Sequence, residues 1–314
     1  MTARSWCTAA TPRRLAGEGA NRGGGVTLET LGFVGLGRMG APIAGRLIGA
    51  GYQTWGYDAA GTEERAPAGM RVAAGAGEVA ERADIVLLSL PHGEICVEVC
   101  RELLAAGEPR VRTVVDLSTI GMGAARRCAE LFGEAGGDYV DAPVSGGVAG
   151  AATGALAMMV GAPGSVMTRV AGVLDIVAQR RFHVGERPGH GQAAKLLNNY
   201  VSSLALAATS EAVVFGSRVG LDMEQMVDVL NASSGRTTAS SDKFPRSVVP
   251  RTYDFGFAAD AMRKDVGLFL EDARGVGVES KLAQANDDLW GSFIQECPGT
   301  DFTYIHRYLE TATS

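Results

Sequence analysis

The chain is poor in the residues that hold metal ions or cross-link secreted proteins. Its 314 residues include five cysteines and four histidines. The cysteines are odd in number and form no C-x-x-C pair, and the histidines do not have the spacing of metal ligands. We therefore expect free thiols in the reducing environment of the cytoplasm, and we expect no metal site.

The chain also lacks an excess of positive charge and any long hydrophobic run. A formal net charge of −6 disfavours a nucleic-acid-binding protein, because such proteins gain affinity by neutralising phosphates. No apolar run approaches the roughly 20 residues that cross a bilayer, so we expect no membrane partner. The hydrophobic and charged fractions, 46% and 20%, are typical of a globular protein, and the length suffices for two domains.

Residues 1–28 lack the apolar periodicity of a helix or a strand. They contain Arg13, Arg14 and a run of three glycines, and they lack the apolar core of a secretory signal. We interpret them as a disordered or non-native extension, for example one that arises from a start codon assigned too early. A mitochondrial presequence is the alternative, because the segment carries arginines and only one acidic residue, Glu18.

A glycine-rich segment stands between a predicted strand and a predicted helix. The apolar run 31–34 leads directly into the pattern G-x-G-x-x-G at 35–40, and a helical pattern follows. This context is typical of a dinucleotide-binding turn, whose glycines permit a tight turn, close approach of the pyrophosphate and close packing of helix on strand. The free N–H groups of the helix N-terminus then face the phosphates. The cofactor contacts expected here are Gly35, Leu36, Gly37, Arg38, Met39 and Gly40.

Asp58 follows the second predicted strand, 52–57, and bears on the choice of dinucleotide. A carboxylate at this place accepts hydrogen bonds from the adenosine ribose hydroxyls and repels a 2′-phosphate. The next three residues include no arginine, although Arg65 is close in sequence. We therefore expect NAD as the cofactor, with NADP less favoured.

The alternation of strands and helices continues through residues 29–190. Further strands are predicted at 84–90, 113–116, 139–141, 156–160 and 182–184, and helices at 96–104, 123–134 and 165–178. The pattern indicates an α/β, doubly wound, Rossmann-type dinucleotide-binding domain, mostly parallel, with its last strands differently oriented. Ligands bind beyond the carboxyl ends of such strands, so Pro91, Ser118, Thr119 and 145–147 should converge on one crevice.

Strand patterns end near residue 190, and residues 191–314 are predicted to form an all-α domain. Helices are predicted at 193–219, 224–230, 260–275, 282–294 and 304–309, and 233–257 is interpreted as rich in loops. The helix at 193–219 is apolar on much of its surface, so we expect it to be central and buried.

Four separated segments carry distinctive motifs: FVGLGRMG at 33–40, DAPVSGG at 141–147, GQAAKLLNN at 191–199 and the pair Lys264-Asp265. In this order and spacing they resemble the β-hydroxyacid dehydrogenase family, most closely its 3-hydroxyisobutyrate branch, to which SSGR at 233–236 is also similar. The resemblance implies a dinucleotide-binding domain and an all-helical second domain, 191–314, for substrate binding and oligomerisation. It also implies a homodimer or homotetramer whose subunits pair through those helices.

The resemblance implies that Lys195 is the catalytic acid/base. Independently, Lys195 is a charged residue that enters an otherwise apolar helix, which is costly unless the side chain faces a cleft. Asn199 lies one helical turn further on the same face, where it can hydrogen-bond the substrate or hold the lysine. The alternative is a surface lysine whose stem covers apolar residues while its head reaches water.

Other candidate contacts stand at predicted strand ends and on a late helix. The resemblance implies substrate contacts at Ser145, Gly146, Gly147 and Thr119, and cofactor contacts at Leu90, Pro91, Thr119 and Lys264. Backbone N–H groups of the two glycines, with the serine hydroxyl, suit a substrate carboxylate. Alternatives remain open: a plain turn at 145–147, a helix cap at Thr119, and a salt bridge between Lys264 and Asp265.

Together these features predict an NAD-dependent oxidoreductase that transfers a hydride between NAD and a small 3-hydroxy acid resembling 3-hydroxyisobutyrate. A reductase of tartronate semialdehyde or a related semialdehyde is an alternative. A cofactor-binding scaffold without chemistry, or an imine reductase, is disfavoured because Lys195 and Asn199 are intact. Asp260 and Ala261 depart from the family pattern, which points to a difference in substrate.

Overall fold

The computed structural model describes residues 29–312, which form a nine-stranded sheet followed by helices. The predicted extension at 1–28 lies outside the described residues. The strands are β1 (Leu31–Val34), β2 (Thr54–Tyr57), β3 (Arg71–Val72), β4 (Ile85–Leu88), β5 (Thr113–Asp116), β6 (Asp138–Asp141), β7 (Val144–Ser145), β8 (Ala157–Gly161) and β9 (Arg180–Gly185). Every residue of β1, β4 and β5 is buried, as central strands covered on both faces require.

The strand order is that of a doubly wound sheet, β3-β2-β1-β4-β5-β6, which continues with β8 and β7. These first six strands pair in parallel, whereas β8 is antiparallel to β6 and β7, and β9 is parallel to β8. The α/β prediction is confirmed, including the different orientation of the last strands. The register aligns Val34, Leu88, Asp116 and Asp141 across the sheet, so the chain leaves four neighbouring strands at one edge.

Helices cover both faces of the sheet. They are α1 (Gly40–Gly49), α2 (Thr62–Arg65), α3 (Ala76–Arg82), α4 (Gly93–Leu104), α5 (Gly121–Glu134), α6 (Gly147–Thr153) and α7 (Gly164–Val177). Phe33 of β1 belongs to an apolar cluster with residues of α1 and α7, and its neighbour Val34 belongs to a second cluster with α3, α4 and α5. Because both faces are covered, a ligand reaches this sheet only at the ends of its strands.

The second half of the described chain is helical. Its elements are α8 (His190–Arg218), α9 (Met223–Ala232), a π-helical segment (Ala239–Val248), α10 (Ala259–Gly275), α11 (Lys281–Glu296), a short 3₁₀ turn (Phe302–Tyr304) and α12 (Ile305–Ala312). The interpretation of 233–257 as loops is therefore wrong for the π-helical part. Phe244 and Val248 bury one side of that segment in the helical core, and this burial outweighs the low helix propensity of its serines and Pro245.

The 29-residue helix α8 starts at the sheet and runs through the helical half. Leu206, Val213 and Val214 lie in the helical core. On another face Leu197, Val201 and Phe215 are 53%, 59% and 69% exposed, so the expectation of a buried helix is wrong for this face of the single chain. Among residues 29–312, neither α8 nor another helix combines the length and apolarity that a membrane span needs.

Candidate active site

Hydrogen bonds join the segments that follow β4, β5 and β6. The Leu90 N–H donates to the Ser118 hydroxyl at 2.8 Å, which ties the end of β4 to the end of β5. The Gln192 side-chain amide donates to the Ser118 carbonyl oxygen at 3.0 Å and to Asp141 Oδ1 at 2.7 Å. The start of α8 is thereby tied to β5 and β6, and the predicted crevice has a defined floor.

The geometry of the glycine-rich turn fits a bound pyrophosphate. Gly35 has φ +94°, and a Cβ there would lie 2.3 Å from the Ser89 carbonyl oxygen. A Cβ at Gly40 would lie 1.9 Å from the Gly35 carbonyl oxygen, so helix α1 and strand β1 pack without room for a side chain. Gly37 differs, because a Cβ there would meet no atom within 4 Å. Its backbone therefore faces open space, where a dinucleotide can approach it.

Asp58 stands beside this turn, directly after β2. Its Oδ2 accepts a hydrogen bond from the Leu36 N–H at 2.7 Å, and its Oδ1 accepts one from Ala60 N–H at 2.8 Å. The Arg65 Nε lies 3.7 Å from Oδ1, so the arginine that is close in sequence is also close in space. Of the other predicted turn contacts, Leu36 is buried, Met39 half-buried and Arg38 exposed. The carboxylate thus holds the turn and has an arginine at its side.

Lys195 and Asn199 lie buried on α8, one turn apart. Lys195 is only 6% exposed, and burial lowers the pKa of its ammonium group to about 8, with nearby Lys264 lowering it further and Asp265 opposing both. The Asn199 amide donates to Asp265 Oδ2 at 2.6 Å. The cluster therefore places a lysine whose pKa is close to neutral pH beside an oriented amide, an arrangement suited to proton transfer.

Lys264 bridges the helical half and the sheet. Its Nζ donates to the Thr119 carbonyl oxygen at 2.6 Å and to the Pro91 carbonyl oxygen at 3.4 Å, and it lies 3.2 Å from Asp265 Oδ1. The salt bridge offered as an alternative is thus present, but it accompanies contacts with two predicted cofactor-binding segments. Lys264 therefore joins α10 to the crevice at the ends of β4 and β5.

Ser145, Gly146 and Gly147 lie on the side of the crevice formed by β7 and β8. Ser145 pairs in register with Ala157 of β8. Gly146 and Gly147 have φ +136° and +65°, and a Cβ at Gly147 would meet no atom within 4 Å. The start of α8 contacts the same strand, since a Cβ at Gly191 would lie 2.6 Å from the Met159 carbonyl oxygen. One strand therefore brings the serine segment and the base of the lysine helix together.

A small cavity of about 100 Å³ lies next to this crevice. Thr119 and Lys264 line it together with His92, Arg127 and Asp272, whereas Lys195 and Ser145 do not. Ligand pockets usually measure about 300–1,000 Å³. The cavity is therefore too small for a dinucleotide, and the open crevice beyond the strand ends is the candidate binding site.

Three buried residues of the site were not singled out as functional from the sequence. Asp141 and Gln192 connect the sheet to α8, and Asp265 orients Asn199. The motifs DAPVSGG, GQAAKLLNN and Lys264-Asp265 contain all three, but only their long-range contacts reveal what they do. A buried carboxylate or amide at a predicted strand end or helix start was the available signal.

Comparisons with known proteins agree with this arrangement. Residues 30–185 match the family model described as the NAD binding domain of 6-phosphogluconate dehydrogenase. Residues 189–309 match the model described as NAD-binding of NADP-dependent 3-hydroxyisobutyrate dehydrogenase. A 3-hydroxyisobutyrate dehydrogenase of Pseudomonas aeruginosa is 33% identical over 299 residues, which cover 89% of this chain and 98% of the relative. The chain belongs to the β-hydroxyacid dehydrogenase family.

Two further similar proteins are associated with other acids, one by its name and one by the molecule present in its solved structure. The 2-(hydroxymethyl)glutarate dehydrogenase of Eubacterium barkeri is 35% identical over 246 residues, covering 77% of this chain and 81% of the relative. The solved structure of Mycobacterium tuberculosis 3-hydroxyisobutyrate dehydrogenase with L-serine has a TM-score of 0.84 and 33% identity, covering 90% of this chain and all of that one. This member of the β-hydroxyacid dehydrogenase family is therefore an NAD-dependent dehydrogenase that acts on a CH–OH group.

Proposed function

We propose that the protein interconverts a small 3-hydroxy acid and its aldehyde or ketone, with Lys195 as the acid/base. The observation that carries the proposal is the buried lysine whose pKa is lowered to about 8, next to Asn199 and Asp265. A catalytic group whose pKa is close to the pH at which the enzyme works transfers protons well in both directions.

In the oxidative direction the neutral amine of Lys195 accepts the proton of the substrate hydroxyl group. In the reductive direction its ammonium form returns a proton to the new alkoxide. A bound nicotinamide supplies the other half of the reaction, acceptance or return of a hydride. The Asn199 amide nitrogen is held by Asp265. Its Oδ1 accepts from Asn198 Nδ2 at 3.0 Å and keeps a second lone pair, with which it is proposed to orient the hydroxyl group.

The substrate carboxylate is proposed to bind at Ser145, Gly146 and Gly147. The positive φ angles of both glycines bend the backbone after β7, and the open side of Gly147 leaves room for an anion. Thr119 is proposed to face the substrate from the end of β5. A 3-hydroxy acid, whose carboxylate and hydroxyl groups are separated by two carbon–carbon bonds, is proposed to reach from this turn to Lys195. L-serine, present in the similar M. tuberculosis structure, has this spacing.

The cofactor is proposed to be NAD rather than NADP. It would contact Gly35, Gly37 and Asp58 at the turn, then Leu90, Pro91 and Thr119 at the strand ends, with Lys264 above it. Support comes from the carboxylate of Asp58, which lies where it would repel a 2′-phosphate. Arg65, 3.7 Å away, partly offsets this repulsion and leaves a measurable use of NADP.

We also propose that the helical part, from residue 191, serves substrate binding and self-association into a homodimer or homotetramer. Support comes from Leu197, Val201 and Phe215, which expose apolar surface along one face of α8. A cytoplasmic location is proposed because the four cysteines within residues 29–312, at 96, 100, 128 and 297, are free thiols.

The deciding experiment is a substrate panel followed by the absorbance of reduced cofactor. The panel contains 3-hydroxyisobutyrate, serine, glycerate, 3-hydroxypropionate and threonate, each with NAD and with NADP. Tartronate semialdehyde is tested in the reductive direction. We expect turnover of at least one acid with NAD, and loss of that turnover in Lys195→Ala while NAD still binds.

Two results would overturn the proposal. Undiminished turnover in Lys195→Ala would remove the lysine from the chemistry. Binding of NAD without turnover of any acid or semialdehyde would favour the scaffold alternative.

A further inference from the structure

Gln192 is a completely buried amide at the base of α8, and all its hydrogen-bonding capacity is used. Its Oε1 accepts from the Ile120 and Gly121 N–H groups at 2.8 and 3.2 Å. Its Nε2 donates to the Ser118 carbonyl oxygen and to Asp141 Oδ1. A side-chain amide can make four such bonds, so this one is saturated.

Asp141 is equally buried, at the last position of β6. Its Oδ2 accepts from the backbone N–H groups of Gly189 and Gln192 at 2.9 and 3.1 Å, and its Oδ1 accepts from the Gln192 side chain at 2.7 Å. These N–H groups belong to the first residues of α8 and the residue before it. The carboxylate therefore fixes where the helix begins relative to the sheet.

The groups held by this pair flank the proposed reacting groups. Gln192 binds the residues on either side of Thr119, namely the Ser118 carbonyl oxygen and the Ile120 N–H. On its own helix, Gln192 precedes Lys195 by one turn. A single buried amide thus touches both the segment that carries Thr119 and the helix that carries the lysine.

We propose that Gln192 and Asp141 are positioning residues that set the placement of Lys195 against Thr119 and the nicotinamide. The proposal rests on the proposed function, in which Lys195 is the acid/base. Neither side chain touches the reacting atoms. A displacement of about 1 Å in such a pair can cost about 100-fold in rate.

The pair is suited to this task because it tolerates only one arrangement. In an apolar contact a helix can slide by a fraction of an ångström with little loss. Each of these hydrogen bonds instead leaves a buried polar group without a partner when it breaks, which is costly. The charged and titratable groups beside the pair are Asp116 and Tyr139 of the sheet, and burial raises the pKa of both.

The test begins with two variants of nearly unchanged volume, Gln192→Glu and Asp141→Asn. In the first, a carboxylate oxygen replaces the donor that faces Asp141 Oδ1 and the Ser118 carbonyl oxygen, so acceptors face one another with no donor between them. In the second, the new NH2 group of residue 141 replaces one carboxylate oxygen, so a donor faces an N–H donor. We expect kcat for the oxidation to fall by about 10–100-fold in each, while the Kd of NAD, measured by fluorescence titration, changes by less than about threefold.

The double variant Asp141→Asn/Gln192→Glu supplies the rescue. It moves the carboxylate from residue 141 to residue 192, so an Asn amide donates to a Glu oxygen and the net charge is unchanged. The Ile120, Gly121, Gly189 and residue 192 N–H groups all keep acceptors, and only the Ser118 contact is lost. We expect kcat to recover at least about tenfold relative to Gln192→Glu.

Asn286→Leu is the matched control. Asn286 is also a buried amide that ties α8, since its Nδ2 donates to the Ser203 hydroxyl at 2.8 Å, while its Oδ1 accepts from the Trp290 indole at 3.2 Å. Asn286 belongs to α11, and its partner Ser203 lies about two turns further along α8 than Lys195. We expect Asn286→Leu to lower Tm as much as the Gln192 and Asp141 variants do, yet to leave kcat and its pH profile near those of the parent enzyme.

The outcomes separate this proposal from the proposed function. Single variants that fold and keep kcat within about threefold, or a folded double variant no better than either single one, would overturn the positioning role. A loss of kcat in Asn286→Leu equal to that in Gln192→Glu would assign the effect to stability instead. If Lys195→Ala keeps activity, the proposed function itself fails, whatever these variants show.

Discussion

At the scale of single residues, Lys195 differs from an ordinary exposed lysine because it is buried and its pKa is lowered. Burial removes water from the ammonium group, and its charge is opposed by Lys264 and favoured by Asp265. A pKa of about 8 leaves both protonation states accessible near neutral pH. The proposed reaction needs both states, one in each direction.

The pH dependence of the two directions should therefore have opposite signs. Oxidation needs the neutral amine, so its kcat/KM should rise with pH and level off above about 8. Reduction needs the ammonium group, so its kcat/KM should fall over the same range. Because Lys264 lowers the pKa of Lys195, Lys264→Met should move both limbs to higher pH.

Lys264→Arg is the control for this prediction, since it keeps a positive charge at the same place. Initial rates between pH 6 and 10 provide the measurement. Lys264→Met is also expected to weaken cofactor binding, so the pH at which kcat/KM changes, not its plateau value, is the informative quantity. A limb that stays in place or moves down would show that the charge of Lys264 does not act on Lys195.

Asp58 and Arg65 should determine cofactor preference between them. Asp58→Ser removes the carboxylate that opposes a 2′-phosphate and releases Arg65, which lies 3.7 Å from it. We expect the ratio of kcat/KM with NADP to that with NAD to rise by about tenfold or more. Adding Arg65→Met to Asp58→Ser should lower NADP use again, and no change on that addition would exclude the arginine as a phosphate ligand.

At the scale of elements, the glycine-rich turn offers a contrast between folding and binding. An alanine Cβ at Gly37 would contact nothing within 4 Å, so Gly37→Ala should change Tm by less than about 2 °C. The same methyl group enters the space next to the backbone where the pyrophosphate is proposed to bind. We expect the Kd of NAD in Gly37→Ala to rise by about tenfold or more.

Gly35→Ala is the matched comparison, and it should lower the stability of the fold. Its φ of +94° and the 2.3 Å approach to the Ser89 carbonyl oxygen strain any side chain there. We expect a loss of about 1–3 kcal/mol in the free energy of unfolding, seen as a lower Tm without cofactor. Equal Tm values for the two variants would contradict this division between a structural and a cofactor-facing glycine.

Elements with a strong pattern of their own could be predicted from the sequence, and others could not. The buried apolar runs of β4 and β5 and the motif after β1 were sufficient to predict the doubly wound sheet. The two-residue strands β3 and β7 have no period to detect, and the π-helical segment is stabilised by tertiary burial of Phe244. The Asp141–Gln192 contact joins residues 51 apart, so no local pattern contains it.

At the scale of the whole molecule, the exposed face of α8 bears on the number of subunits. Burying a phenylalanine such as Phe215 stabilises an interface by about 2 kcal/mol, and a charge there opposes association. We expect the parent protein to have a multiple of the 32.6 kDa chain mass by light scattering, and Phe215→Glu to have a lower mass at the same concentration.

Val72→Glu serves as the control for this measurement. Val72 is also an exposed apolar residue, 42% exposed, but it lies on the edge strand β3. Its substitution should leave the mass unchanged. A monomeric parent protein, or a Phe215→Glu variant with the parent's mass, would remove α8 as the surface of self-association.

The length of α8 gives it the properties of a lever. Its base is held at Gln192 and Asp141, with Lys195 close to that pivot, and Phe215 lies near its far end. At 1.5 Å of rise per residue, Phe215 is about 30 Å from Lys195, so a tilt of about 4° at the base would carry Phe215 through about 2 Å. A tilt too small to displace the lysine is thus a much larger movement at the exposed face. A second subunit bound to that face would therefore restrain the angle at which α8 brings the lysine into the crevice.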